Sequence, residues 1–257
     1  MGELTDIIDK VKRYYKFTPS ELRGFVISIF AVAFIISFAE WGPGTTFEWG
    51  YGLRNFFNAS LIVALTFIVR ETAHRVGALS IGFKAEYKMW TFGLLAGVVI
   101  ALVTRGYWWL ILPGGIMVHH LGGHRLGFFR YGLNYFGVGM VSAVGPLANI
   151  ALALFFKIIS AFTYNPLIYK AIVLNLLMAV YTILPIPPLD GSRMFFGSRM
   201  VYAFILSFVV LSSILLFIKV IPAWIAIVAS LLLALICWLL YYILWEKGLW
   251  GGPYPKS

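Results

Sequence analysis

The sequence predicts an all-α polytopic membrane protein of about six transmembrane helices, with a short re-entrant or β element between the second and third core spans. Three observations predict it. Hydrophobic residues make up 61% of the chain and charged residues 12%, and the mean hydropathy is +0.90, far outside the range of soluble domains. Apolar runs long enough to cross a hydrocarbon core of ~30 Å recur along the sequence. The 257 residues suffice for about six spans of ~20 apolar residues each, and no long polar stretch is left for a separate soluble domain. The expected organisation is an interfacial N-terminal helix over residues 1–21, a single transmembrane domain over 22–248, and a short C-terminal tail over 249–257.

Taken in order, residues 1–21 place Ile7, Ile8, Val11 and Tyr14 among acids and bases, the pattern of a short helix lying in the membrane interface. They lack the hydrophobic core of a cleavable signal peptide. Thr18-Pro19-Ser20-Glu21 puts a proline near a helix start, and Leu22 to Phe38 forms the first span. Glu40 to Gly52, rich in glycine and aromatic residues, is the loop on the opposite side. Phe56 to Leu79 is the second span. Thr91 to Val103 is apolar but short, Arg105 interrupts it, and Tyr107 to Val118 contains Pro113-Gly114-Gly115. That region reads as a tight hairpin, a re-entrant element or partly strand. Phe136 to Ile159 is a further span, in which Pro146 is tolerable because neighbouring helices satisfy the freed carbonyl. Ile168 to Leu184 follows, then Pro185-Ile186-Pro187-Pro188-Leu189-Asp190-Gly191, and spans over Val201 to Ile218 and Pro222 to Trp245 complete the chain.

Charge and cysteine usage narrow the function classes. The single cysteine, Cys237, excludes an intrachain disulfide and a cysteine-based zinc site, so a metal would take His and carboxylate ligands. The net charge of +10 comes from lysines and arginines flanking the spans, which is a signature of topology rather than of nucleic-acid binding. With a cytoplasmic N-terminus, Lys10, Lys12, Arg13, Lys16, Arg75, Lys84, Lys88, Arg125, Arg130, Arg193, Arg199 and Lys247 all fall on the cytoplasmic side. Arg54, Arg105, Lys157, Lys170 and Lys219 fall outside or near that interface. The expected location is an integral, multi-pass membrane protein with its N-terminus in the cytoplasm. The expected partners are the lipid bilayer and membrane-protein segments, and no nucleic acid.

Ionisable groups at membrane depth each cost at least ~2.5–3.5 kcal/mol near a helix centre unless partnered, so they mark function by default. Arg70, Glu71 and His74 lie in one apolar span and Asp190 follows another. Spacings of three and four put Arg70, Glu71 and His74 on neighbouring helix faces. The segment Arg70-Glu71-Thr72-Ala73-His74 has the form H-E-x-x-H with arginine at the first histidine. In that motif two histidines one turn apart bind zinc and the glutamate is the general base. The proline-rich approach to Asp190 cannot continue a helix, and non-helical backbone at this depth must be buried in protein or line a cavity. Asp190 is therefore expected to face the cavity of Glu71 and His74.

In these segments, RETAH, GPLAN (Gly145 to Asn149) and LPIPPLDG, in that order within apolar spans, the chain resembles the site-2 protease family of intramembrane zinc metalloproteases over about residues 55–200. The resemblance implies zinc bound by two histidines and the aspartate of the L-D-G motif, and a glutamate base. His74 and Asp190 match two metal ligands and Glu71 the base, while Arg70 occupies the first ligand position. The family often carries an oxyanion-stabilising asparagine eight residues before the aspartate; here that position is Thr182, which donates one hydrogen bond and reaches less far.

The substitution at residue 70 bears on chemistry. Catalytic zinc takes three protein ligands and an open position for water. Arginine stays protonated, presents only donors and repels the cation. Zinc is the cofactor if the site is active, and the alternative is a metal-free site in which Arg70 replaces the metal as counter-charge, bridging Glu71 or Asp190 while His74 bonds the remaining carboxylate. His119, His120 and His124 form a second cluster. Gly122 and Gly123 disfavour a helix there, so a solvated or headgroup-facing loop is the plain reading, with a replacement ligand or a separate surface metal site as alternatives.

Other conspicuous residues have structural readings. Gly145 and Asn149 suit a close helix contact with an amide hydrogen bond, and Gly93 and Gly97 suit helix packing. Trp108, Trp109, Trp224, Trp238, Trp245 and Trp250 suit interfacial anchors or lipid-facing packing. Lys84, Glu86 and Lys88 form a solvated strip, although Glu86 to Trp90 can begin an edge strand of the kind that, in the resembling family, holds an unwound substrate by β-augmentation. Three functions follow: a pseudoprotease, catalytically impaired or inactive, that binds transmembrane segments of other membrane proteins; an active zinc-dependent intramembrane endopeptidase with an altered ligand set; and a transporter or channel whose polar path uses Arg70, Glu71, His74 and Asp190. No internal repeat supports the third.

Overall fold

A capping box starts the first long helix where the Thr-Pro-Ser-Glu segment predicts a start. The Thr18 side chain accepts from the Glu21 amide, the Glu21 carboxylate accepts from the Thr18 amide, and Pro19 sits in the first turn, so donors that the helix cannot satisfy itself are closed reciprocally. The computed structural model describes residues 2–42, 46–121 and 134–247. Its order is α1 (Gly2–Tyr14), α2 (Pro19–Ser37), α3 (Trp49–Ser80), β1 (Phe83–Met89), α4 (Thr91–Val103), β2 (Gly114–His120), α5 (Tyr135–Ser160), α6 (Pro166–Thr182), α7 (Asp190–Gly197), α8 (Arg199–Phe217) and α9 (Ala223–Tyr241).

Five helices among the described residues are long and apolar enough to cross a membrane: those over Pro19–Glu40, Trp49–Ser80, Tyr135–Ser160, Arg199–Phe217 and Ala223–Glu246. The chain is an all-α, multi-pass membrane protein in this sense. The expected span over Ile168 to Leu184 is α6, with 17 residues. At 1.5 Å per residue it measures about 25 Å, short of a full crossing, because the prolines after Thr182 end it early. It lies inside the bundle, with Leu174, Met178 and Ala179 fully buried. Helix α3 is longer than expected, 32 residues beginning at Trp49, or about 48 Å.

The region from Thr91 to Val118 is partly strand, and its chain comes back to the place it left. β1 and β2 pair antiparallel from Phe83 opposite His120 to Met89 opposite Gly114, and α4 leaves and returns between them. Gly93 and Gly97 face this returning chain rather than another helix alone: a Cβ would stand 2.5 Å from Leu112 O at Gly93 and 2.3 Å from Leu110 O at Gly97. The two glycines let an extended segment lie directly on α4.

The strand β1 buries Phe83, Ala85 and Tyr87 and leaves Lys84, Glu86 and Lys88 on its other face, where Lys84 donates to Glu86 at 2.6 Å. That hydrogen bond holds the Glu86 carboxyl below its ordinary range. The Tyr87 amide points away from β2 and donates to Glu21 Oε1 at 2.9 Å, so the outer edge of β1 is closed by α2 at this point. Antiparallel ladders alternate paired and outward backbone groups. The amides and carbonyls of Ile116 and Val118, opposite Tyr87 and Ala85, therefore point to the far side of β2.

Two of the apolar cores among the described residues join helix to helix. Phe25, Val32, Ile36, Val63 and Phe67 join α2 and α3 to Tyr87 and to Leu174 and Met178 of α6. Ile150, Ala153, Ile172, Leu176, Tyr202 and Val209 join α5, α6 and α8. Trp108, Trp224 and Trp245 are largely exposed, as anchors should be, and Trp109 turns its indole N–H to Gly106 O at 3.2 Å. Trp250 lies outside the described residues.

Candidate functional site

Two consecutive turns near the end of α3 carry Arg70, Glu71, His74 and Arg75, and all four are buried. The helix that holds them has no internal proline or cap within this stretch, so the i, i+1 and i+4 positions fall where regular geometry puts them. The fourth partner arrives from a different element. The prolines after α6 force a non-helical approach, and the chain re-enters helix at Asp190, the first residue of α7. Gly191 is needed at this junction, since a Cβ would stand 1.8 Å from Ile183 O; only glycine lets the start of α7 cross the end of α6 this closely. Arg193 Nη1 donates to Pro188 O at 2.7 Å and steadies the approach.

These elements bring together Arg70, Glu71, His74 and Asp190. Arg70 Nη1 donates to Glu71 Oε1 at 2.5 Å, and Nη2 donates to Asp190 Oδ2. Arg70 is fully enclosed, as is Asp190. His74 Nδ1 pairs with Val141 O of α5 at 2.9 Å, and since a carbonyl can only accept, Nδ1 carries a proton. Its other nitrogen, Nε2, is thereby aimed at Asp190 Oδ2, 3.3 Å away. This is the orientation of a metal-binding histidine, whose second nitrogen is fixed by a backbone carbonyl. Gly145 of α5 seats the ring: a Cβ there would stand 2.1 Å from His74 Nε2. The predicted close contact of α5 exists, but its partner is the imidazole, and both amide atoms of Asn149 are buried without a hydrogen bond among the described residues.

A zinc ion does not fit this donor set. Between Glu71 and Asp190 stands a guanidinium, which offers donors alone, and it engages both carboxylates. His74 and Asp190 remain, one short of the three protein ligands that catalytic zinc takes. Among the described residues no group of three His, Cys, Asp or Glu side chains is placed to hold a metal. A guanidinium supplies one positive charge between the two carboxylates instead, and a buried ion pair of this kind is held only where its hydrogen bonds are made.

The other sequence candidates lie apart or are otherwise engaged. Thr182 is buried, and its hydroxyl donates to Met178 O at 2.7 Å, the back-bond that helical threonines form. His119 and His120 end a strand and are not in a loop. His119 Nε2 stands 3.9 Å from Glu86 Oε2, and His120 meets the Phe83 ring edge-on with ring centroids 5.4 Å apart. His124 lies outside the described residues.

Sequence reasoning missed a second polar assembly one turn further along α3. Arg75 pairs with Glu21, donates to Lys16 O at 3.0 Å and lies 4.0 Å over the Phe17 ring. Tyr15 Oη and Thr72 Oγ1 share a hydrogen bond of 2.8 Å nearby. A signal existed in Glu21, an acid at the head of an apolar span whose nearest cation, Arg23, lies two residues on and so on another face of the helix.

No known family profile and no solved structure match the chain. Its similarity is to a protein of Methanocaldococcus jannaschii described as "Putative zinc metalloprotease", which is 27% identical over 196 residues, spanning 74% of this chain and 91% of that protein. This is distant similarity to a metalloprotease, spread over nearly the whole of the relative.

Proposed function

We propose that the chain is a pseudoprotease of site-2 protease architecture, N-terminus in the cytoplasm, that binds transmembrane segments of other membrane proteins without hydrolysing them. The observation that carries this reading is Arg70, buried and shared between Glu71 and Asp190. Peptide hydrolysis at such a centre requires a base free to take a proton from water and a cation to polarise the carbonyl. Here Glu71 accepts a charge-assisted hydrogen bond instead, and the cation is a guanidinium with a fixed proton inventory. The features that would hold a substrate remain. Gly115 of β2 lies against the centre, since a Cβ there would stand 2.4 Å from Pro188 O and 3.1 Å from Asp190 Oδ1. A segment added along the outward groups of Ile116 and Val118 would run past the polar centre by β-augmentation.

A second reading, an active endopeptidase with an altered ligand set, is favoured by one observation: His74 Nε2 and Asp190 Oδ2 already converge at 3.3 Å. Metal analysis of the purified protein beside Arg70→His, with a transmembrane-peptide cleavage assay on both, separates the two. Zinc and cleavage appearing only in Arg70→His are expected. One tightly bound zinc in the wild type, or cleavage by the wild type that Glu71→Gln abolishes, rejects the pseudoprotease.

A further inference from the structure

At the end of the bundle opposite the polar centre, a cavity of about 1200 Å³ opens between the end of α2, the start of α3, the end of α5, the start of α6, the end of α8 and the start of α9. Tyr51 in its wall and Glu71 are 20 residues apart on α3, or about 30 Å, so the cavity is separate from the centre by roughly the thickness of a hydrocarbon core. Its depth is that of a lipid headgroup.

The lining is cationic over an apolar body. Three ammonium groups, Lys157, Lys170 and Lys219, share it with one carboxylate, Glu40. Lys170 is paired with that carboxylate. The other two have no acidic partner among the described residues. Lys157 donates to Leu216 O at 2.9 Å and Ile218 O at 2.8 Å, using two of the three donors of an ammonium. Lys219 is held over the Tyr169 ring, 4.5 Å from its centroid. The start of α9 adds to the field, since it has no side-chain cap and its first amides carry partial positive charge. Beneath these groups the wall is formed by Ile158, Val173, Leu216 and Ile221.

We infer that this cavity binds an anionic phospholipid, its phosphate held by Lys157 and Lys219 and its acyl chains lying on the apolar wall. A structural account of the lysines explains each singly: Lys157 caps the carbonyls at the end of α8, and Lys219 stacks on an aromatic ring. It does not explain why two unneutralised ammonium groups face one cavity between membrane helices, a composition that suits lipid phosphate. A soluble anion would have no use for the apolar wall.

Native mass spectrometry of the full chain, released from detergent with phosphatidylglycerol or phosphatidylcholine added, tests the assignment. One phosphatidylglycerol per chain is expected, bound about tenfold more tightly than phosphatidylcholine, the ratio that about 1.4 kcal/mol confers. Lys157→Gln/Lys219→Gln should lose the preference and Lys88→Gln, on the sheet, should keep it. Lys219 is exposed and makes no side-chain hydrogen bond among the described residues, so Lys219→Gln alone should fold and show a partial loss even where the double variant fails to fold. Equal retention of both lipids by the wild type, an unchanged preference in Lys219→Gln, or lysine-dependent binding of inorganic phosphate alone would overturn the inference.

Discussion

Helix α3 carries two buried guanidinium groups five residues apart, and their surroundings differ in kind. Arg75 is enclosed by a mixed set: the Glu21 carboxylate, the Lys16 carbonyl and the faces of Phe17 and Tyr15. It ties the chain before α2 to α3, and its carboxylate partner also accepts from the Tyr87 and Thr18 amides. Arg70 faces two carboxylates from two elements, with an imidazole beside one of them. The first arrangement is that of a clamp, with one cation serving several weak partners. The second is that of a metal centre with the metal's charge supplied by a side chain. A buried arginine on an apolar helix thus has no meaning by itself; the number of carboxylates it faces assigns its role.

The largest expected effect is at Arg70. Arg70→Leu leaves Glu71 and Asp190 buried with no cation between them, and removing one partner of a buried pair costs ~3–5 kcal/mol. Denaturant unfolding in detergent should show a loss of that size, and zinc should not restore it, because leucine adds no ligand. Arg70→His should recover much of the stability when zinc is added and little without it. A stable Arg70→Leu protein would show that the two carboxylates do not depend on the guanidinium.

Arg75→Leu should cost less, about 3 kcal/mol at the low end of the same range, since Glu21 keeps the hydrogen bonds from Thr18 and Tyr87. Its distinctive consequence is local. The segment from Tyr15 to Thr18 should become sensitive to protease while α3 and the polar centre stay intact. Uniform digestion of the whole chain would show instead that the clamp supports the global fold.

The difference between these two sites also marks where the sequence is informative. Thr18-Pro19-Ser20-Glu21 gave a helix start because capping is decided within four residues. Arg70, Glu71 and His74 were placed by helix spacing, and Asp190 by the proline-rich approach that forbids a helix before it. The clamp was not legible, since the meeting of Arg75 with Glu21 depends on how α2 lies against α3. The sheet is half legible: Tyr107 to Val118 reads as partly strand and Glu86 to Trp90 as the start of an edge strand, but their pairing does not follow from the sequence, because β1 and β2 are separated by a full helix and meet only in the fold. Thr182 illustrates a third limit. Its position was visible, but not the direction of its hydroxyl, which bonds Met178 O within its own helix.

The smallest effect sharpens the comparison most cleanly, because it reaches the polar centre without touching a charge. At Gly145 a Cβ would stand 2.1 Å from His74 Nε2 and 2.5 Å from Cε1, too close for any side chain. The imidazole is fixed from its other side by Val141 O, so Gly145→Ala must either break that hydrogen bond or push α5 away from α3. Overpacking of this kind costs ~1–3 kcal/mol. At Gly50, in the first turn of the same α3, nothing lies within 4 Å of the added methyl, and Gly50→Ala should be neutral within ~0.5 kcal/mol. The same pair read in the Arg70→His background separates packing from ligation. There Gly145→Ala should lower zinc affinity by displacing Nε2 from Asp190 Oδ2, and Gly50→Ala should not. Equal zinc affinity in both would show that the seat of His74 in α5 has no part in aiming it at Asp190.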